Sequence, residues 1–293
     1  MELTTIFYHT DNFCKSFEKE LEIRVLTNGN NIRTKECCLT LGEVMTILIY
    51  YHRSGYKTFK DYYMRCHDIK SGFPSMPSYN RFLELQKNVL MPLAIFMKIC
   101  ALSNNCDGFS FIDSFPLRVS HPKRIPSHKT FQGLAKRGKT STGWFYGFKV
   151  HIAINGRGEI LDFLITPGNV ADNNRAVIEK MTQNLQGKLY GDRGYLLNPT
   201  FFRELYERGV HLVTKIRSNM ENKLMELNDK LMLKKRGIIE SVGAILKEDL
   251  NIEHSRYRSP ITFFINLLSG LLAYTFRENN PSIYKKGFIP LMA

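Results

Sequence analysis

Two strongly apolar runs, WFYGFKVHIAIN (residues 144–155) and ILDFLITPG (160–168), are separated by only four residues, GRGE. So short and Gly-rich a gap leaves room for a tight turn, which makes the two runs an antiparallel hairpin. What surrounds the hairpin narrows the fold further. A shorter strand pattern, FSFIDSF, precedes it; a helical stretch (NVADNNRAVIEKMTQNL), a strand ending in a turn (KLYGDRGY), a helix opened by Asn198 and Pro199 (NPTFFRELYERG) and a last strand (HLVTKIR) follow. Strands joined through helices come back parallel, whereas the hairpin is antiparallel. The order therefore predicts an α/β mixed sheet of five strands flanked by helices on both faces.

The preceding part has a different texture. Residues 36–66 and 79–102 carry apolar residues at helical spacing, joined by the loop HDIKSGFPSMPSYN. This is a small all-α region, in which a helix-turn-helix variant would put Tyr79, Asn80 and Arg81 at the exposed start of a helix; helical pairs with a polar corner also occur in proteins that never touch DNA. The chain thus divides into a helical region (1–108), a candidate for DNA binding, and an α/β domain with C-terminal helices (109–293). Of those helices, PITFFINLLSGLLAYTF (260–276) reads as buried: it is shorter than a membrane span and interrupted by Asn266 and Ser269, so no membrane contact is expected. The other, KKRGIIESVGAILKEDL (234–250), is amphipathic. Wound at about 100° per residue, it gathers Ile238, Ile239, Val242, Ile245, Leu246 and Leu250 on one face and brings Arg236, Glu240 and Lys247 within about 40° of one another on a different one.

Charge points to the partner. The formal net charge is +14, and most of it lies after residue 108; between Asp113 and Glu159 there are many Lys and Arg and no acid. Such a surface suits a polyanion, bound through phosphate neutralisation and counterion release. His121, Lys123, Arg124, His128, Lys129, Lys136, Arg137 and Lys139 form a basic loop expected to contact DNA phosphates, and His254, Arg256 and Arg258 form a second such group. Six cysteines, none in a CxxC pair, read as reduced thiols of a cytoplasmic protein rather than a zinc knuckle.

Three acids have unusual settings. Asp113 interrupts the apolar strand FIDSF, Asp192 stands where a strand breaks into a Gly-rich turn, and Glu240 lies between two cations on its helix. Each alone is as well explained by an ordinary ion pair, Asp192 with Arg193 for instance. Together they match what hard divalent cations require: oxygen ligands that leave open positions for water and phosphate oxygens. Asp162, Asp172, Glu248 and Glu253 could each replace a named acid if the strand register differs. Trp144 and His151 fit core positions better than functional ones, although the indole could stack on a DNA base.

In FIDSFP around Asp113, KLYGDRGY around Asp192 and RGIIESVGAILK, where Arg236, three residues, Glu240, six residues and Lys247 follow in order, the chain resembles DDE-class transposases of bacterial insertion sequences. GWFYGFKVHIAIN, TPGNVADN and EHSRYRSP resemble that family too. The family's signature often opens with a Tyr at the position of Leu233, so no role for that Tyr carries over. The resemblance implies a ribonuclease H-like catalytic domain in which Asp113, Asp192 and Glu240 bind two Mg²⁺ ions, with Mn²⁺ able to substitute. It also implies cutting at the terminal inverted repeats by water and attack of the freed 3′-hydroxyl on target DNA. Arg236 and Lys247 would be cations facing phosphates, and a homo-oligomer on the bacterial nucleoid would hold two ends. A metal-dependent nuclease without joining, or an inactive DNA-binding regulator derived from a transposase, would share the same sequence features.

Overall fold

The computed structural model describes residues 2–27, 38–141, 143–215, 225–253 and 257–284. Two compact units emerge, residues 1–99 with 246–252 and 257–278, and residues 100–245 with 253–256 and 279–293.

The second unit is built on a six-stranded mixed sheet: β1 (Phe109–Ser120), β2 (Lys136–Thr140), β3 (Gly143–Ile154), β4 (Ile160–Pro167), β5 (Gly187–Gly191) and β6 (Val210–Thr214). The hairpin forms as expected, with β3 antiparallel to β4 from Phe148↔Pro167 to Ile154↔Ile160. β3 carries β1, also antiparallel, on its other edge. β1 then pairs parallel with β5, and β5 parallel with β6. This is the ribonuclease H-like α/β arrangement. The sixth strand, β2, lies within the segment read as a basic loop and pairs with the start of β3 from Lys136↔Gly147 to Thr140↔Gly143. Its sequence, KRGKT, shows no apolar alternation, and polar, Lys-rich strands of this kind are typical of sheet edges. Gly147 is dictated by a close approach: a Cβ there would stand 1.9 Å from the Leu117 carbonyl oxygen.

Alternation along the strands sends residues to two helical layers. On one face Ile112, Ala153, Leu189 and Leu212 pack with Val177, Ile178 and Met181 of α7 (Arg175–Met181) and with Phe201 and Leu205 of α8 (Pro199–Glu207). Burying a side chain such as Ile112 contributes about 1.5–3 kcal/mol. On the other face the Phe111 and Tyr190 rings lie 5.8 Å apart. Here α9 (Leu227–Lys235) is tied down by Asp229, which accepts from the Tyr190 hydroxyl and from Lys188 Nζ, each at 2.8 Å. Next to it α10 (Gly237–Ala244) packs on β1.

Several helices differ from their sequence pattern. The expected helix 234–250 is three pieces: α9 ends at Lys235, Arg236 forms a turn before Gly237, and after α10 residues Ile245–Asp249 wind as a π-helix. A π turn advances fewer degrees per residue than an α turn, so the alignment of Lys247 with Arg236 and Glu240 does not carry over. The helix read over 169–185 shrinks to α7, whose N-cap Asn174 accepts from the Ala176 and Val177 amides and leaves Asp172 in the preceding loop.

The helical unit contains α1 (Leu3–Thr27), which has no clear apolar period, then α2 (Leu41–Tyr51), α3 (Phe59–Arg65), α4 (His67–Gly72), α5 (Tyr79–Leu85) and α6 (Leu90–Ser103). The stretch read as helical over 36–66 breaks at Gly55, where φ is +75°. Thr40 and Glu43 close a capping box on α2. α11 (Pro260–Thr275), expected with the C-terminal part, belongs to this unit, because its apolar face is met by α2. Among the described residues, the continuous helical stretch Tyr79–Ser103 alone is long and apolar enough to cross a membrane by length and composition.

Candidate active site

The parallel pairing of β1 with β5 places the first two acids. Its last pair is Phe111↔Tyr190. Asp113 lies two residues further along β1 and Asp192 just past the end of β5, close enough for the charge of Asp192 to act on Asp113. Asp113 accepts the Ser114 amide at 2.8 Å, and Asp192 caps the next turn by accepting the Gly194 amide at 2.6 Å. Burial pushes the Asp113 carboxyl up to about 6; Arg236 and the Ser114 N–H pull it down, while the nearby Asp192 pushes it up further. No ion pair joins Asp192 to Arg193 among the described residues.

The third acid reaches this pair through a cation. Arg236, whose side chain is only 14% exposed, donates to Asp113 Oδ2 at 2.9 Å and to Glu240 Oε1 at 2.8 Å. Glu240 itself is 63% exposed, one turn into α10. The helix break at Arg236 makes this bridge: a side chain leaving the turn between α9 and α10 can reach down to β1 and along α10 together.

A fourth acid stands close by. Asp172 accepts from the Ser114 hydroxyl at 2.6 Å and from Lys149 Nζ at 3.0 Å, both through Oδ1. Its Oδ2 points toward Gly194, next to Asp192. The Tyr195 hydroxyl is buried close to Ser114. Burial raises its pKa well above the ordinary range, and Asp113, Asp172 and Asp192 add to the rise. His151 is fully buried on β3 and shares its Nε2 with the Thr166 hydroxyl at 2.9 Å, a core position as the sequence suggested. Asp162 stands on β4, across β3 from β1, and Glu253 accepts the Arg118 amide. Sequence reasoning had weighed Asp172 only as a substitute for another acid. Its position in TPGNVADN, directly after β4, was the available signal.

Compared with known protein families, residues 103–260 match the one described as Transposase DDE domain, more than half of the chain. The chain belongs to this family. No curated protein matches it. The matched DDE domain contains Asp113, Asp172, Asp192, Arg236 and Glu240 together.

Membership implies divalent metals in general. Among the described residues, no group of three or more His, Cys, Asp or Glu side chains is arranged to hold a metal ion, and Arg236 pairs with both Asp113 and Glu240. The donor set nevertheless fits a hard cation in kind. Asp113 and Glu240 pair with Arg236, Asp172 pairs with Lys149, and the charges of Asp113, Asp172 and Asp192 all act on the buried Tyr195 hydroxyl.

Of the DNA-binding candidates, Lys123 and Arg124 lie on the short 3₁₀ turn Pro122–Ser127, Lys129 follows it, and Lys136, Arg137 and Lys139 line β2; all six are exposed. Lys247 is half-buried on the π-helical turn, and Arg258 is exposed ahead of α11. Arg256 and His254 lie outside the described residues.

Proposed function

We propose that this DDE domain is catalytically competent and that the chain is a DNA transposase, cutting at the ends of an insertion sequence and joining the freed 3′-hydroxyl to target DNA. Asp113, Asp192 and Glu240 are the metal-binding carboxylates, with Mg²⁺ as the ion and Mn²⁺ able to replace it. The observation that supports this reading is that Asp113 and Asp192 follow the last parallel pair of β1 and β5 and interact electrostatically, while Arg236 pairs with both Asp113 and Glu240.

In this reading Asp113, within β1, and Asp192, just past β5, are each fixed by a backbone amide, so their oxygens are held in advance of substrate. A bound divalent cation supplies polarisation of the scissile phosphate and activation of the attacking water or 3′-hydroxyl. Arg236 is a built-in counter-charge that keeps the acids from repelling one another, and it turns to phosphate oxygens once DNA and metal arrive. Lys123, Arg124, Lys129, Lys136, Arg137 and Lys139 hold the DNA backbone, as do Lys247, Arg256 and Arg258. The helical unit serves as a further DNA-binding region. Handling two element ends requires at least two copies of the chain, working in the bacterial cytoplasm on nucleoid DNA.

The test uses linear DNA carrying the element's terminal repeats, a target plasmid and Mg²⁺ or Mn²⁺. The wild-type chain is expected to cut and to join, while Asp192→Asn and Glu240→Gln lose both steps and keep DNA binding. Cutting without joining identifies a nuclease. Binding without either step identifies a regulator, and unchanged cutting by Asp192→Asn removes that residue from the site.

A further inference from the structure

Trp144 is the only tryptophan of the chain, and it opens β3 with 52% of its surface exposed. A strand-start aromatic of this size usually turns inward, because burying an indole is worth several kcal/mol. Here it does not. Its cross-strand partner is Lys139 of β2, and two cations lie over the ring: the Arg137 guanidinium carbon 4.3 Å and Lys139 Nζ 5.6 Å from its centroid. On the same strand face, two residues on, Tyr146 borders an open groove of about 500 Å³ lined by Pro122, Ile125 and Pro126 and edged by Lys136 and Arg137.

We infer that Trp144 is a stacking platform for an unpaired nucleobase, with Arg137 and Lys139 neutralising the adjoining phosphates. The inference rests on the reading of this chain as a DNA-binding enzyme and adds to it a preference for single-stranded DNA at this hairpin. The ring surface that the two cations leave exposed offers a π-face that any base can cover, whatever its sequence, and the same cations suit the adjoining phosphates. A base inside a duplex has both faces covered by its neighbours and cannot use the platform. The acid-free composition of the segment supplies the charge complementarity, and the groove beside Tyr146 gives the strand room to continue. The natural user is the frayed or overhanging end of a cut strand.

Because Trp144 is unique, the emission of the unmodified full-length chain, excited at wavelengths that tyrosine does not absorb, reports on this site alone. In EDTA, so that no cleavage occurs, a single-stranded oligonucleotide is expected to quench that emission on binding, and a blunt duplex of the same length to leave it nearly unchanged. By anisotropy of labelled DNA, Trp144→Ala is expected to weaken single-strand binding about tenfold and duplex binding hardly at all, with Trp144→Phe retaining most of the affinity. Saturating single-strand binding without quenching overturns the inference. So does an equal loss for both DNA forms in Trp144→Ala, or an emission that changes with protein concentration alone, which would mark a contact between copies. If the chain cuts DNA yet shows no quenching, the platform fails and the enzymatic reading stands; if it binds neither DNA form, both fail.

Discussion

Arg236 donates to Asp113 on one side and to Glu240 on the other, at 2.9 and 2.8 Å, so one nearly buried guanidinium occupies the space between two acids from distant parts of the sequence. A cation in that position competes with any other. At 4 Å and an effective dielectric of about 20, a unit charge is worth roughly 4 kcal/mol before relaxation. Arg236→Met is therefore expected to tighten Mn²⁺ binding by the DNA-free protein about tenfold or more, as measured by electron paramagnetic resonance titration. DNA cutting should fall in the same variant, because its phosphate-facing charge is gone. Unchanged Mn²⁺ affinity would show that the bridge does not guard the acids.

This bridge also marks the limit of what the sequence makes readable. The hairpin, the strand and helix order and the positions of Asp113 and Asp192 follow from apolar alternation and turn residues, which are local signals. Glu240 was legible through its spacing from Arg236, but the helix that carries it was not. KKRGIIESVGAILKEDL has an unbroken apolar face, and nothing in that pattern announces a turn at Arg236 or a π-helix over Ile245–Asp249. β2 was invisible because an edge strand needs no apolar side chains. Asp172 was legible only as a substitute for another acid, because its contacts with Ser114 and Lys149 come from a sheet register that no short window contains.

Asp172 and Lys149 form an ion pair at 3.0 Å whose lysine side chain is only 11% exposed. Removing one partner strands a nearly buried charge, which costs more than the pair itself contributes. Asp172→Ala is expected to destabilise the protein by about 2–3 kcal/mol, and Lys149→Met added to it should recover most of that loss in thermal melts. If the double variant is no more stable than Asp172→Ala, the burial of Lys149 is not what the carboxylate offsets.

Gly147 faces the Leu117 carbonyl so closely that a Cβ would have to sit 1.9 Å from its oxygen. Backbone on both sides leaves no flexible side chain to move aside. Gly147→Ala should therefore push β1 and β3 apart and cost about 1–3 kcal/mol as an overpacked contact, although alanine is ordinarily the better strand residue. Chemical denaturation measures this, and a neutral result would mean that the β1–β3 bulge near Ser120 absorbs the methyl.

His151 gives the fold a pH dependence whose direction follows from its burial. Desolvation lowers its pKa from 6.5 to about 4, with Asp172 opposing and Lys149 reinforcing the shift. Between those values the unfolded chain takes up a proton that the folded one refuses. Stability is therefore lost as pH falls from 6.5 toward 4, by at most about 1.4 kcal/mol per pH unit. Asp113 acts the other way: its raised pKa favours the folded state at low pH and withdraws that support as pH climbs from 3.8 to about 6. The two contributions partly mask each other in the wild type, so the informative quantity is the difference between wild type and His151→Gln, in which the Asp113 contribution cancels. Glutamine can still reach the Thr166 hydroxyl without titrating. The expected outcome is a variant that loses less stability than wild type between pH 6.5 and 4 in denaturant melts; parallel pH profiles would mean that the imidazole is protonated inside the fold.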